Sequence, residues 1–446
     1  MKFSLPQQVN KALTMLHQNG FEAFIVGGCV RDFVLQQEPK DFDITTNATP
    51  QQTLSVFHEY KTIETGIQHG TVTVIIQSIP LEITTYRVDG EYTDYRRPDC
   101  VAFTKNLQDD LARRDFTINA IAYNENSGIQ DYYSGQEDIK RKIIRCVGIP
   151  QKRFEEDALR IMRALRFSAV LGFTIEDTTK KAMFEKKELL HNIAVERIAV
   201  EIIKLICGEN AKAVLSEYLA ILAEVIPELL SIKGFDQHNP HHIYDVLTHS
   251  FVALENVPPI AHLRLAALFH DIGKPMAYTL DENSIGHFYG HPKMSEHIAV
   301  GILRRFKFDN DTIHKVSVLV NYHDASIEAT EKSIKRWLYQ ITPELFLDLL
   351  ELKCADNLAQ NPKYRNQISI YQEIKGIYHK IIEDQDCFSM KDLKVNGNDL
   401  IHIGITNGKE IGMIKGSLLN LVIDGQLNND KAELLEKAKQ LKSTLS

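Results

Sequence analysis

Residues 21–46 read "FEAFIVGGCVRDFVLQQEPKDFDITT", and the reading of this stretch decides the fold. "FEAFIV" is a nearly unbroken apolar run, the pattern of a buried strand; two glycines end it, and "RDFVLQ" begins a helix. At such a junction the backbone N–H groups of Gly27 and Gly28 can approach phosphates closely, and Arg31 adds a fork-shaped donor for them. In "DFDI", Asp41 and Asp43 are two positions apart, which on a strand puts both carboxylates on one face, where they can hold Mg²⁺. Outward from there, "TVTVIIQ" and "LEITTYR" alternate as strands, so residues 1–145 read as a mixed sheet with helices packed against it. Glu82, on the second of these strands, is a candidate third carboxylate. No G-x-x-x-x-G-K-[ST] occurs, so the phosphate turn is not a Walker loop.

Past this head the pattern turns helical, with apolar residues at three- and four-residue spacing in "FEEDALRIMRALRFSAVLGF" and "VERIAVEIIKLI". The segment "EDALR" carries recognition chemistry: on a continuous helix Asp157 and Arg160 project together, and Glu156, one turn before Arg160, orients its guanidinium. An acceptor beside a donor matches the exocyclic amine and ring nitrogen that cytosine and adenine present, whereas guanine and uracil reverse that order. Arg163 and Arg166 continue the row as a basic stripe suited to phosphates.

The 446 residues are too many for one core and predict two to four domains. With 51 Lys+Arg against 59 Asp+Glu the net charge is -8, which excludes an overall basic nucleic-acid binder and leaves any nucleic acid to a local basic patch. No apolar stretch is long enough to span a membrane, and "MKFSLPQQVNKAL" lacks a signal-peptide core, so a cytoplasmic protein is expected. The 6 cysteines form no C-x-x-C pair, which argues against thiolate zinc sites and disulfides. By contrast, 11 of the 17 histidines fall between His238 and His323, a candidate metal domain. The turn-rich "KGFDQHNPHH" separates it from the preceding helices; His238, His241 and His242 in that turn are read as solvated. Beyond residue 360 the chain is again mostly helical, and the glycines of "KVNGND" and "GITNGKEIG" are read as helix caps.

The order "GGCVRD … DFDI … RRDFTINA … EDALRIMRALRF" resembles the class II tRNA nucleotidyltransferases, the CCA-adding enzymes of the DNA polymerase β-like superfamily. The resemblance implies an α+β protein: a nucleotidyltransferase catalytic head (1–145), then an all-α neck with the nucleotide-selecting motif (146–235), an HD metal-binding domain (236–360) and a tRNA-binding tail (361–446). It implies that Asp41 and Asp43 bind two Mg²⁺ ions, one activating the tRNA 3′-hydroxyl and the other steadying the triphosphate of CTP or ATP. It makes Arg113, Arg114, Asp115 and Asn119 a ribose-reading motif, and "RVDGEYTDYRRPDCVAF" the flexible loop for C and A addition, with Asp89, Arg96 and Arg97 its working residues. Glu196 and Arg197 would brace the base-reading helix, and Lys394, Lys409 and Lys415 are candidate tRNA phosphate contacts.

"YDVLTHSF", "ALFHDIGKP", "YGHPKMSEH", "NYHDA" and "KCADNLAQ" resemble, in order, the HD phosphohydrolases. The resemblance implies a divalent transition-metal or Mg²⁺ site of His249, His270, Asp271, His291, His323 and Asp356, with Lys274 on the phosphate. His297 is the alternative to His291. The implied activity is phosphodiesterase and phosphatase action on 2′,3′-cyclic and 2′-phosphate ends. Rival readings are an A-adding enzyme, a poly(A) polymerase, and an HD hydrolase whose N-terminal half only senses nucleotides.

Overall fold

The computed structural model describes residues 3–90 and 101–445. The chain divides into two compact units, Met1–Pro227 and Glu228–Ser446. This is a coarser division than the four parts read from the sequence.

The first unit is built on a seven-stranded mixed sheet. Its strands are β1 (Ala23–Val26), β2 (Asp43–Thr46), β3 (Lys61–Ile63), β4 (Thr71–Ile76) and β5 (Ile79–Thr85), joined by β8 (Ala122–Asn124) and β9 (Gly128–Gln130). Their order is β3-β4-β5-β2-β1-β8-β9. Between β5 and β8, β6 (Arg87–Asp89) and β7 (Val101–Phe103) pair separately as an antiparallel ribbon. β1 is central and buried at all four positions, which is why its sequence is continuously apolar; β4 alternates buried with half-buried because only one of its faces meets the core. Phe24, Val26, Tyr86, Leu107, Leu111 and Ala122 form part of that core. Truncating such a residue to alanine costs about 2–5 kcal/mol.

β2 runs antiparallel to β1 and parallel to β5, so Asp43 lies opposite Val26 on one side and Glu82 on the other. The strand begins at Asp43, and Asp41 sits in the non-helical, non-strand turn leading into it. The two aspartates are therefore not successive same-face positions of one strand.

The helices that matter for the site are α1 (Gly28–Val34), α2 (Leu107–Ala112), α3 (Pro150–Glu156), α4 (Leu159–Leu171) and α5 (Val195–Ile206). α3 and α4 correct one expectation. The "EDALR" segment is not one helix: Asp157 has φ -143° and ψ 100°, an extended residue that ends α3, and its carboxylate caps the next turn by accepting from the Leu159 N–H at 3.1 Å. An aspartate that can accept from backbone two residues on competes with helix continuation.

The second unit is helical. α6 (Val246–Asn256), α7 (Ala261–Phe269), α8 (His291–Arg305), α9 (Asn310–Tyr322) and α10 (Pro343–Ala359) carry the histidine motifs. The tail packs its helices around Leu400, Ile414, Leu418, Leu434 and Ala438. Its glycines differ from expectation. Gly397 and Gly408 are first residues of helices capped by the side chains of Asn396 and Asn407, whereas Gly404, at φ +88°, and Gly425, at φ +68°, take positive-φ conformations just past helix ends.

Candidate active site

The phosphate-sized turn forms as its residue types require. Gly27, between β1 and α1, has φ +82° and ψ -132°, a conformation open to glycine and strained for any other residue. A Cβ there would also lie 3.2 Å from Nη1 of Arg114, so the guanidinium rests against the bare backbone of the turn. Beside it stand the carboxylates. Asp43 has its pKa raised: loss of solvent around it is the main cause, Arg114 opposes the shift and Asp41 adds to it. Glu82 is raised by the same loss of solvent and then by Asp43 and Asp41. Asp43 and Glu82 lie opposite each other in the middle of the sheet and Asp41 just precedes β2, and hard oxygen donors of this kind suit Mg²⁺.

Arg31, Asn119, Asp115 and Arg163 form one chain of hydrogen bonds. Arg31 donates to Asn119 Oδ1 at 2.9 Å, Asn119 Nδ2 donates to Asp115 Oδ1 at 3.2 Å, and Arg163 grips Asp115 Oδ2 through Nε (2.8 Å) and Nη2 (2.5 Å). Asp115 is buried, and although burial opposes its charge, Arg163 and Asn119 lower its pKa to about 2. It does not cap an ordinary helix, because only the 3₁₀ turn Thr117–Asn119 follows. Nor is the expected basic stripe open: Arg163 is spent on Asp115, and Arg166 pairs with Glu201 at 3.2 Å. Phe167 gathers all three cations, with Arg166 4.2 Å, Arg31 5.3 Å and Arg163 5.5 Å from its ring centre.

The base-reading candidates are also held firmly. Arg160 is buried; it donates to Glu156 at 2.5 Å, to the Arg153 carbonyl at 2.9 Å and to the Arg113 carbonyl at 3.0 Å. Asp157 accepts from Arg197 of α5 at 2.8 Å. Arg96 and Arg97 fall outside the described residues, and Asp89 is placed only by its backbone, at the end of β6.

One residue escaped the sequence reading. Asp110, on α2, is fully buried and receives Arg113, Arg114 and Thr45. Its signal was available as spacing, since it stands three and four residues before the two arginines.

A second cluster forms in the other unit. His249, His270 and Asp271 bring ligand atoms together, as do Asp271, His291 and His323, and all five residues are buried. Asp271 is the hub, with Oδ2 3.2 Å from His270 Nε2 and 3.4 Å from His249 Nε2, and Oδ1 3.2 Å from His291 Nε2 and 3.5 Å from His323 Nε2. Asp356 accepts from His249 at 2.8 Å. His297 is instead exposed on α8. Lys274 does not stand free for a phosphate: it is buried, 2.7 Å from both Asp271 and Gln237.

The cluster's chemistry fits a metal. His270, His291 and His323 donate through Nδ1 to the carbonyls of Ala267, Phe288 and Val320, which leaves each Nε2 a lone pair turned inward. The Nε2 atoms of His291 and His323 then face each other at 3.1 Å, and His270 Nε2 and Asp271 Oδ1 are buried without hydrogen-bond partners, while Asp271 Oδ2 lies against Lys274 Nζ. A cation satisfies all of them together.

Residues 23–145 match the family model described as the poly A polymerase head domain, residues 172–232 the probable RNA and SrmB-binding site of polymerase A, and residues 283–438 the putative tRNA nucleotidyltransferase domain 2. The CCA-adding enzyme of Leuconostoc mesenteroides is 36% identical over 98% of this chain and 97% of its own, and that of Limosilactobacillus reuteri 34% identical over 96% and 95%. Among solved structures, the Bacillus stearothermophilus CCA-adding enzyme in complex with CTP aligns with a TM-score of 0.70 at 27% identity, covering 98% of both chains. A head-domain match alone leaves poly(A) polymerases open, but these relatives align from end to end, and the chain belongs to the CCA-adding enzyme family.

Proposed function

We propose that the chain completes tRNA 3′ ends by adding C, C and A from CTP and ATP without a nucleic-acid template, in the cytoplasm. The observation that carries this reading is the meeting, where β1 ends and β2 begins in the middle of the sheet, of the Asp43–Glu82 pair with the Gly27 turn and Arg114. Asp41, Asp43 and Glu82 would hold Mg²⁺, which when bound neutralises charge on the attacking and leaving oxygens of an in-line displacement. The chain's own residues do the rest. Arg31, Arg113 and Arg114, with the turn's backbone, bind the triphosphate; Asp115 and Asn119 read the ribose hydroxyls. Asp157 accepts from the exocyclic amine of cytosine or adenine while Arg160 donates to the ring nitrogen. Arg160 Nη1 is held by Glu156 and the Arg153 carbonyl and Nη2 by the Arg113 carbonyl at 3.0 Å, which fixes the plane of the guanidinium for that role. Solved CCA-adding enzymes carrying tRNA, CTP or ATP support the choice of partners, and the exposed Lys394 and Lys409 of the tail, with half-buried Lys415, are proposed phosphate contacts.

The test is incorporation of CTP and ATP, separately and together, into tRNA transcripts ending before CCA, after the first C and after CC, with Asp41→Ala plus Asp43→Ala as control. Addition of all three nucleotides, lost in the control, is expected. Addition of A only to the CC-ending transcript would make this an A-adding enzyme, and no addition would overturn the reading.

The buried His–Asp cluster favours a second activity. We propose a metal-dependent phosphohydrolase of the HD type acting on 2′,3′-cyclic and 2′-phosphate ends, held by His249, His270, Asp271, His291, His323 and Asp356. Hydrolysis of 2′,3′-cyclic AMP that is lost on chelation, returns with added divalent metal and disappears in Asp271→Asn is expected; absence of hydrolysis with every first-row divalent ion and with Mg²⁺ would refute it.

A further inference from the structure

Asp110 has no role in the chemistry described so far, yet its surroundings are those of a functional group. The carboxylate is 0% exposed and accepts from donors that arrive from four directions. Arg113 reaches Oδ1 through Nε at 3.0 Å and Nη2 at 2.7 Å; Arg114 Nη2 and Thr45 Oγ1 reach Oδ2 at 3.3 and 3.0 Å; the backbone N–H of Arg87, where β6 begins, reaches Oδ1 at 3.4 Å. Thr45 follows Asp43 by two positions on β2 and so shares its face of the sheet. One buried carboxylate thus ties the strand that carries a metal-binding aspartate to the two adjacent arginines of "RRDF".

Arg114 gives this tie a purpose: Nη2 is committed to Asp110, Nη1 lies against the Gly27 backbone, and Nε is buried without a hydrogen-bond partner. A buried donor left unpaired is costly unless a ligand completes it. A guanidinium anchored on one side and unsatisfied on the other, beside a glycine turn and a carboxylate pair, is set for an anion carrying several oxygens, such as a nucleoside triphosphate.

We propose that Asp110 is a positioning residue for nucleotide binding: through its shared grip on Arg113 and Arg114, anchored by Thr45, it holds Arg114 against the Gly27 turn for the phosphates of the incoming CTP or ATP. It touches neither substrate nor metal. Asp110→Asn keeps the side-chain shape but puts an N–H₂ group where one set of donors now finds an oxygen, so the fork loses its anchor. Thr45→Val, nearly isosteric, removes one anchoring hydroxyl and leaves the carboxylate in place.

The experiment is steady-state incorporation of CTP and ATP into tRNA by the full chain, with KM for nucleotide, KM for tRNA and kcat measured separately. Thermal melting is followed in parallel. Asp110→Asn should raise KM for both nucleotides at least about 10-fold, the loss of one charge-assisted hydrogen bond. KM for tRNA should stay within about 2-fold, well inside the 1.4 kcal/mol that separates a tenfold effect from none. Thr45→Val should move KM in the same direction by less. In an Arg114→Ala background Asp110→Asn should add little, because a residue acting through Arg114 has nothing left to position. An unchanged nucleotide KM in a folded Asp110→Asn variant would overturn the proposal. So would an effect that persists undiminished beside Arg114→Ala, or a fall in kcat alone. If Asp110→Asn does not fold, the Thr45→Val series and its cycle with Arg114→Ala decide by the same criteria.

Discussion

Arg197 donates a 2.8 Å hydrogen bond to the carboxylate of Asp157, forty residues earlier in the chain, and by doing so fixes the acceptor proposed to read the incoming base. Asp157 sits in the break between α3 and α4, with an extended backbone and no helix to hold it. Its orientation comes from the Leu159 N–H on one oxygen and from Arg197 on the other. Arg197→Ala should therefore loosen base choice before it damages chemistry. We expect misincorporation of GTP and UTP relative to CTP and ATP to rise about 10-fold, within the 1–3 kcal/mol a bidentate match supplies, while kcat for CTP falls far less. Arg197→Lys, a point charge without the fork, should restore only part of the selectivity. Competition assays with all four triphosphates measure this, and unchanged selectivity in Arg197→Ala would refute the role.

The Asp115–Arg163 pair predicts a pH dependence with a definite sign. The folded-state pKa of Asp115, about 2, lies below the ordinary unfolded value. A depressed carboxylate stabilises the fold above its unfolded pKa and ceases to do so as pH falls through the folded one. The contribution, about 2 kcal/mol, should be complete at pH 5, roughly halved near pH 3 and gone below pH 2. Asp115→Asn never has it. The gap in urea midpoint between wild type and Asp115→Asn should therefore narrow on going from pH 5 to pH 3. A constant gap would mean that the pair contributes through packing alone.

At the metal-binding site, Asp43 and Glu82 lie opposite each other in the parallel register of β2 and β5. If both carboxylates serve the same ions, their removal differs in degree. Asp43→Asn should abolish incorporation, whereas Glu82→Gln should retain measurable activity but require several-fold more Mg²⁺ for half-maximal rate. A Mg²⁺ titration of CTP incorporation tests it; an unshifted titration for Glu82→Gln would leave that residue as a strand face only.

These relationships were legible in the sequence to different depths, for physical reasons. The Gly27 turn and the Asp43 strand were readable because backbone conformation is written locally, in a glycine pair after an apolar run. The break at Asp157 was not, because apolar spacing continues through "FEEDALRIMRALRF" and only the side chain of Asp157 itself, capping Leu159, stops the helix. The basic stripe of Arg163 and Arg166 looked phosphate-facing because their carboxylate partners, Asp115 and Glu201, lie 48 and 35 positions away in the chain. Asp110 was hidden for the opposite reason: it is so near its arginines that it reads as an ordinary helix pair, and only its complete burial marks it out. Conversely, three histidines of the cluster are oriented locally, by carbonyls three residues earlier: Ala267 for His270, Phe288 for His291 and Val320 for His323.

That local construction makes the last prediction sharp. His291 and His323 are turned inward by the carbonyls of Phe288 and Val320, and their Nε2 atoms meet 3.1 Å apart beside Asp271. Two imidazole lone pairs at that distance repel unless a proton or a cation lies between them. If a metal is the occupant, the protein purified without chelator should carry it, and His291→Ala or His323→Ala should lower its affinity by 10-fold or more, as loss of a ligand does at least as strongly as loss of an outer partner at roughly 10–100-fold. His297→Ala should leave metal content unchanged, because that side chain is exposed on the same helix. Elemental analysis after dialysis against limiting metal measures all three. Equal metal content in His291→Ala and wild type would assign the pair to a shared proton instead.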